Sequence, residues 1–338
     1  MKAIVHDVYG PPEVLRLEEI AQPVPGRGEV LIEVGAASVD PGVWHLMAGR
    51  PYLLRAVGFG LRAPKTRVRG TDVAGRVEAV GPDVTRFRPG DEVYGSGRGT
   101  FAAYACAKED SLALKPANLD FEQAAAIPVS ACTALQALRD GGRLTPGRRV
   151  LIIGASGGVG TFAVQLAKAL GAHVTGVCST ANTELVRSLG ADEVVDYTKE
   201  DPTDGAHRYD LVLDTGGNRP LARLRRALTP RGTLVIVGGE GGGKWIGGTN
   251  RELGAVLLSP FVGHRLRGLV ATQRHSDLTF LKELVEAGSV TPVIDRTYPL
   301  ADVPAAIRHL REGHPRGKIA VSVRSPCIRA DGPGVETS

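Results

Sequence analysis

The chain has 338 residues, enough for two domains, because single hydrophobic cores rarely grow beyond about 250–300 residues. Its net charge of +5 comes from basic residues scattered along the chain, and only 5% of residues are aromatic, which disfavours nucleic-acid binding. The sequence has neither an apolar targeting core at its start nor a run approaching the roughly 18 apolar residues of a membrane span, so we expect a cytoplasmic protein.

Residues 1–118 predict a mainly antiparallel β domain. Short segments of alternating apolar and polar residues, such as 29–38 (EVLIEVGAAS), are separated by turns rich in proline and glycine, such as 81–92. Turn signals about every ten residues are typical of short strands that pair with their neighbours.

From residue 119 the pattern changes to alternating helices and strands. Asp120 has the chemistry of a helix N-cap, and Pro128 predicts a break in the helix that follows. Buried apolar strands separated by helices of 10–15 residues then predict βαβ units and a parallel sheet over 119–262. We expect residues 263–324 to return to the first domain and residues 325–338 to form a disordered tail.

The most informative segment is 150–160 (VLIIGASGGVG), in which an apolar strand ends in a turn of small residues and a helix pattern follows at once. Glycines at this spacing let the backbone approach a pyrophosphate, which then binds at the positive end of the helix. The residues predicted to bind it are Ser156, Gly157, Gly158 and Val159. Ala155 replaces the first glycine of the usual pattern, and a purely structural turn stays open as an alternative.

The end of the second strand of such a unit distinguishes the two nicotinamide cofactors, because an acidic residue there binds the ribose 2′-hydroxyl of NADH. Here the strand ends in Ser179, Thr180 and Asn182, with no carboxylate before Glu184. These polar groups, with Tyr197, predict a site for the 2′-phosphate and hence NADPH. A helix N-cap at Ser179 or Thr180 is the structural alternative.

Four further positions are predicted to line the nicotinamide end of the cofactor site. They lie on the helix that leads into the second domain and at the ends of later strands: Thr133, Thr215, Val237 and Gly238. The glycine-rich stretch 238–248 is either a mobile segment beside the nicotinamide or a surface loop.

Residues 1–324 resemble the medium-chain dehydrogenase/reductase superfamily, and in particular its zinc-free quinone oxidoreductase-like branch. The resemblance implies a GroES-like β domain, interrupted by a Rossmann domain with a doubly wound parallel sheet, and a cleft between the two. It also implies a homodimer. The matching segments are 28–39, 70–75, 77–81, 87–93, 100–104, 154–160, 189–192, 196–197, 214–217 and 317–319.

Zinc-dependent members of this superfamily carry a catalytic cysteine, a histidine–glutamate pair and a second cysteine. The resemblance implies that Asp40, Thr71 with Asp72, and approximately Val129 take those places. The four cysteines of this chain lie far apart with no C-x-x-C pair, and zinc prefers about three protein ligands that include nitrogen or sulfur. We therefore expect no metal.

Without a metal ion the substrate must already accept hydride readily, as a quinone or an α,β-unsaturated carbonyl does. Asp40, Tyr52 and Asp72 are the candidate catalytic residues. Capping of the next helix is the alternative role for Asp40, where relatives usually have Asn, and packing is the alternative for Tyr52. Two other functions stay open: a zinc-free alcohol or aldehyde dehydrogenase, and a non-catalytic NADPH-binding protein in redox sensing or protein interaction.

Overall fold

The computed structural model describes residues 1–324 except 54, 218, 239–244, 246, 248 and 313–314. The predicted disordered tail, 325–338, and most of the glycine-rich stretch 238–248 lie outside the described residues. The strands are β1 (Lys2–Val5), β2 (Arg16–Glu19), β3 (Glu29–Val39), β4 (Asp72–Val80), β5 (Glu92–Ser96), β6 (Tyr104–Lys108), β7 (Leu112–Leu114), β8 (Arg149–Ile153), β9 (His173–Cys178), β10 (Glu193–Asp196), β11 (Tyr209–Asp214), β12 (Leu228–Ile236), β13 (Arg265–Gly268), β14 (Ile294–Pro299) and β15 (Lys318–Ser322). The α-helices are α1 (Pro41–Ala48), α2 (Phe121–Ala125), α3 (Pro128–Gln136), α4 (Gly158–Ala169), α5 (Thr183–Ser188), α6 (Leu221–Arg226), α7 (Thr249–Leu258), α8 (His275–Glu286) and α9 (Val303–Glu312).

Six strands form a parallel sheet in the order β10-β9-β8-β11-β12-β13. Numbered from β8, this is the order 3-2-1-4-5-6 of the Rossmann fold, and the sheet is doubly wound as predicted. The strand order reverses between β8 and β11, and ligands of such sheets bind at the carboxyl ends of the strands at that point. The boundary predicted at residue 262 is too early, because β13 is the sixth strand of this sheet.

The second sheet has seven strands, in the order β14-β15-β3-β4-β5-β7, with β6 paired to β3. All its pairs are antiparallel except β14 with β15, which makes it the GroES-like, mainly antiparallel sheet predicted from the sequence. Since β15 pairs with β3, the end of the described chain joins the same sheet as the amino-terminal strands β3–β7.

Local signals explain how the chain passes between the two sheets. Asp120 and Gln123 form a capping box at the start of α2, and Pro128 occupies the first turn of α3. All residues of α3 except Val129 are buried, and one hydrophobic core continues from it to both sheets. The Tyr94 hydroxyl on β5 donates to the Leu278 carbonyl on α8 at 2.6 Å. In the parts of the chain given above, no helix is both long and apolar enough to cross a membrane.

Candidate active site

The glycine turn lies between β8 and α4, at the carboxyl edge of the parallel sheet. Gly154 has a φ of +83°, and a Cβ there would be 2.6 Å from the Thr215 hydroxyl oxygen. A Cβ on Gly160 would collide with the Gly154 carbonyl oxygen. The tight turn therefore depends on Gly154, beside Ala155, and on close approach at Gly160.

The amino end of α4 is available to an anion. Its N-cap residue is Gly157, so no side chain bonds the first amides of the helix. Helix amides without such a cap, together with the helix dipole, form an anion-binding site. The predicted pyrophosphate residues 156–159 lie at this helix end.

Asn182 brings the glycine turn and the end of β9 together. Its side-chain amide donates to the hydroxyl oxygens of Ser156 at 3.1 Å and of Ser179 at 3.3 Å. Its own carbonyl oxygen is buried and has no hydrogen-bond partner among the described residues. Three residues predicted separately to bind the cofactor are thus neighbours in the structure.

Sequence reasoning missed a carboxylate at this place. Asp196, on β10, stands in register with Cys178 of β9, and its oxygens accept hydrogen bonds from the Thr180 hydroxyl at 2.5 Å and from Thr198. Lys199 pairs with it at 3.2 Å. These bonds, chiefly the one from Thr180, hold the pKa of the Asp196 carboxyl below its usual range. No carboxylate occurs between the end of β9 and Glu184 in the sequence, but the fold places the Asp196 carboxylate beside Thr180.

The four residues predicted to line the nicotinamide end lie on different elements and have different hydrogen-bond partners. Thr215 and Val237 follow the carboxyl ends of β11 and β12, at the same edge as the glycine turn. The Thr215 hydroxyl donates to the Ile153 carbonyl at 2.8 Å, so it supports the turn. Gly238 is exposed, with a φ of +71°. The Thr133 hydroxyl donates to the Val129 carbonyl within α3 at 2.6 Å.

Asp40 follows β3 and caps α1. Its Oδ1 accepts a hydrogen bond from the Val43 amide at 3.2 Å, as the capping alternative predicts. The other oxygen, Oδ2, is buried and has no hydrogen-bond partner in the described chain. The cap therefore uses only half of the carboxylate.

Asp72, the first residue of β4, is fully buried with both carboxylate oxygens bonded. Oδ1 accepts from the Val129 amide at 2.8 Å, and Oδ2 accepts from the Ser38 hydroxyl at 2.5 Å and pairs with Lys318 Nζ at 3.2 Å. Burial raises the pKa of the Asp72 carboxyl, Lys318 lowers it, and Asp40 raises it. This setting differs from the substrate-facing role predicted for Asp72, because neither oxygen is left for a substrate.

Lys318 was not predicted as a site residue, although residues 317–319 contributed to the family resemblance. Its Cδ lies 3.2 Å from the point where a Cβ on Gly158 would stand, and the Gly317 amide donates to the Ser156 carbonyl at 2.9 Å. The strand that carries Lys318 is therefore joined directly to the glycine turn. The Asp72–Lys318 ion pair lies beside the amino end of α4.

The residues at the expected zinc-ligand places do converge, but they do not fit a zinc ion. The Val129 amide and the Asp72 carboxylate bond to each other, and Asp40 lies near enough to influence the pKa of Asp72. Zinc needs about three nitrogen, sulfur or oxygen ligands. Within the described ranges, no group of three or more His, Cys, Asp or Glu side chains is placed to hold a metal ion.

Tyr52 lies beyond the opposite end of α1 from Asp40. Its ring contacts Trp245 edge-on, with 5.4 Å between centroids, and the Arg55 guanidinium lies over it at 4.9 Å. The Leu53 amide donates to the Trp245 carbonyl at 3.0 Å. The structure thus brings Asp40 and Asp72 together, but it places Tyr52 in a separate contact between the two parts of the chain.

Comparison with known proteins agrees with this architecture. Two family descriptions match the chain: an alcohol dehydrogenase GroES-like domain over residues 26–117, and a zinc-binding dehydrogenase over residues 189–321. The chain is 37% identical to the mitochondrial NAD(P)H oxidoreductase RTN4IP1 of Mus musculus, over 96% of this chain and 89% of that protein. The chain belongs to the medium-chain dehydrogenase/reductase superfamily. Within it, the chain falls in the zinc-free quinone oxidoreductase-like branch.

Two other members of the superfamily illustrate the likeness. A chloroplastic NADPH-dependent alkenal/one oxidoreductase of Arabidopsis thaliana is 35% identical, over 95% of this chain and 79% of its own. The structure of the quinone oxidoreductase from Coxiella burnetii matches with a TM-score of 0.85 and 30% identity, over 96% of this chain and 99% of that one. Because the two relatives named by compartment are mitochondrial and chloroplastic, a cytoplasmic location stays a prediction.

Proposed function

We propose that this member of the medium-chain dehydrogenase/reductase superfamily transfers hydride from NADPH to a quinone or an α,β-unsaturated carbonyl, without a metal ion. One observation carries the proposal. An uncapped helix end, suited to a diphosphate, adjoins a buried carboxylate–lysine pair at the place where zinc-dependent relatives hold their metal. The alkenal/one and quinone oxidoreductases to which the chain is similar support the substrate class.

The chain offers matching groups for each part of the cofactor. The amides of the first turn of α4 would hold the diphosphate, and Ser179 and Asn182 would face the adenosine ribose. Asp196 is a poor acceptor for a ribose 2′-hydroxyl, because Thr180, Thr198 and Lys199 already bond it. The Ser179 hydroxyl, which accepts a hydrogen bond from Asn182, can donate its own proton to a 2′-phosphate, and this favours NADPH over NADH.

Bound NADPH supplies the hydride, and the protein must orient the acceptor and stabilise the charge that develops on its oxygen. Hydrogen bonds suffice for a quinone or an enone, since conjugation spreads that charge. We assign this role to Asp40, which in its protonated form would donate a hydrogen bond from Oδ2. Tyr52, beyond the opposite end of α1, is assigned to its contact with Trp245. Asp72 is assigned to pairing with Lys318 beside the glycine turn.

The proposal is tested by following NADPH oxidation at 340 nm with a benzoquinone, a phenanthrenequinone, an alkenal and a simple aldehyde, before and after treatment with a chelator. We expect turnover of the quinones or the alkenal, little with the aldehyde, and no loss after chelation. Activity that depends on added Zn²⁺ would contradict the metal-free mechanism. Tight NADPH binding without turnover of any acceptor would point to the non-catalytic alternative.

We also propose that the chain forms a homodimer through the β13 edge of the parallel sheet. β13 ends the sheet, so one side of its backbone is unpaired within the described sheet, and an edge of this kind can pair with a second copy. Apolar side chains are exposed on the adjoining helix and on the segments beside it: Leu253, Val256, Leu257, Phe261 and Val270. Such a patch is typical of a contact between subunits.

A further inference from the structure

Lys318 lies between the buried carboxylates and the helix end assigned to the cofactor. Its Nζ is 3.2 Å from Asp72 Oδ2, and both side chains are almost entirely buried. Its aliphatic portion passes over Gly158, the first residue of α4. A single ammonium group is therefore adjacent both to a buried carboxylate and to a helix end that attracts anions.

Among the described groups that face Asp72, Lys318 is the only cation. The groups that face Asp72 come from each element packed against it: Lys318 of β15, Asp40 before α1, Ser38 of β3, and the Val129 amide and Cys132 of α3. The Cys132 thiol is neutral, because burial raises its pKa well above the ordinary value. Lys318 thus compensates Asp72, near which Asp40 adds a second negative charge.

We propose that binding of the cofactor diphosphate makes the Asp40–Asp72 carboxylate pair take up one proton from solvent, with Lys318 as the positioning residue that couples the two events. The inference rests on the proposed function, since it takes NADPH as the ligand. A diphosphate at the amino end of α4 attracts the same ammonium group that compensates Asp72. With two further negative charges beside it, the pair is more stable with one carboxyl protonated.

The setting of Asp72 and the chemistry of the reaction agree with this coupling. Burial and the Asp40 charge both raise the pKa of Asp72, and only Lys318 and hydrogen bonds hold it down. Reduction of a quinone consumes one hydride from NADPH and one proton, and yields the hydroquinone and NADP⁺. A proton taken up when NADPH binds is the proton that this balance requires.

Isothermal titration calorimetry of NADPH binding measures the uptake directly. Titrations at one pH in buffers of different ionisation enthalpy give the number of protons exchanged as the slope of apparent enthalpy against ionisation enthalpy. We expect the wild-type chain to take up between about 0.3 and 1 proton near pH 7. Because binding then consumes protons, the NADPH dissociation constant should rise as the pH increases.

Substitutions assign the proton to the carboxylate pair. Asp72→Asn removes the charge but keeps an acceptor for the Val129 amide, so the uptake should disappear while NADPH binds at least as tightly, because Lys318 is released. Lys318→Met should weaken NADPH binding about tenfold, the loss of one charge-assisted hydrogen bond, and should also abolish the uptake. Lys318→Arg should restore both.

Lys168→Met is the matched control. Lys168 lies near the carboxyl end of α4, at the opposite end from the proposed diphosphate site, and pairs with Asp192 at 2.7 Å, so its substitution should leave the proton count unchanged. The 2′-phosphate also titrates near pH 6, but it is common to every variant, so differences between variants report on the protein.

The outcomes separate this inference from the proposed function. No binding of NADPH to the wild-type chain would refute the proposed function itself. Binding without proton uptake by the wild-type chain would refute only the coupling, whether or not any variant folds. Uptake that persists in Asp72→Asn, or tighter binding of NADPH to Lys318→Met, would also overturn it.

Discussion

The two carboxylate oxygens of Asp40 differ in their hydrogen bonding. Oδ1 completes the first turn of α1 by accepting the Val43 amide, and Oδ2 is buried and unbonded in the described chain. An N-cap contributes about 1 kcal/mol to stability, and that role needs a single oxygen. The second oxygen is therefore the one assigned to the substrate.

Substitution of Asp40 should separate these two roles. Asp40→Ala removes both oxygens, so we expect a loss of about 1 kcal/mol in the free energy of unfolding. Turnover should fall about 100-fold, the usual contribution of a well-placed polar or proton-transferring group. The NADPH dissociation constant should not rise, because removal of one negative charge near Lys318 does not weaken the attraction of the diphosphate. Chemical denaturation, stopped-flow kinetics and fluorescence titration measure the three quantities.

Asp40→Asn is the control, because asparagine is an equally good N-cap. It should restore full stability and part of the turnover, since its amide still offers a hydrogen bond to a substrate oxygen. If Asp40→Ala keeps wild-type turnover, capping is the only role of this residue.

Whether the role of a single residue could be predicted depends on how far apart in the sequence its contacts lie. The Asp40 and Asp120 caps are local, so the residue types were sufficient to indicate them. The Asp72–Lys318 pair joins residues 246 positions apart, and neither strand pattern reveals its partner. Asp196 was missed for a similar reason, because it reaches Thr180 only through the register of β10 on β9.

At the scale of elements, the glycine turn combines two different requirements. Gly154 and Gly160 are needed by the fold itself, because of a positive φ and of a backbone collision. Gly157 has an ordinary φ of −83°, and a Cβ there would make only a van der Waals contact at 3.4 Å with the Gly154 carbonyl oxygen. A side chain at Gly157 would instead lie where we place the diphosphate.

Alanine substitutions at Gly160 and Gly157 should therefore affect different properties, the first the stability of the fold and the second the affinity for NADPH. Gly160→Ala should destabilise the protein by about 1–3 kcal/mol, as overpacking does, and should lower the melting temperature. Gly157→Ala should leave the melting temperature nearly unchanged but raise the NADPH dissociation constant about tenfold, because a methyl group obstructs the approach of the phosphate. Differential scanning fluorimetry and calorimetric titration test the pair. Unchanged NADPH affinity in Gly157→Ala would favour the purely structural interpretation of the turn.

The periodic elements were predictable where their apolar residues face the core. Strands β8 and β11 of the parallel sheet contain continuous apolar runs, whereas β13, with the sequence RLRG, does not. Helix α7 was not predicted. It follows a glycine-rich stretch, carries Gly254 in its interior, and exposes Leu253, Val256 and Leu257 instead of burying them. A pattern that faces outward gives no signal of a core helix.

At the scale of the whole molecule, the two sheets are joined at the site by short-range contacts. The Gly317 amide, beside β15, donates to the Ser156 carbonyl of the glycine turn, the Val129 amide of α3 donates to Asp72 of β4, and α3 packs between the sheets. Cofactor and acceptor sites thus share residues from both ends of the chain. The family resemblance predicted this arrangement of domains, whereas the particular hydrogen bonds that join them, from Gly317 to Ser156 and from Val129 to Asp72, required the structure.

The outward face of α7 and the free edge of β13 make the proposed dimer testable. The side chain of Phe261 is 84% exposed and that of Leu257 is 71% exposed, so their replacement by charged residues should not disturb the core. Leu257→Glu combined with Phe261→Glu should convert a dimer into a monomer with a wild-type circular dichroism spectrum, because two like charges per subunit would be buried in the contact. Sedimentation velocity over a range of concentrations measures the change. The same double substitution at exposed apolar residues far along the chain, Val8→Glu with Val24→Glu, should leave the dimer intact. A wild-type chain that sediments as a monomer at all concentrations would contradict the proposed interface.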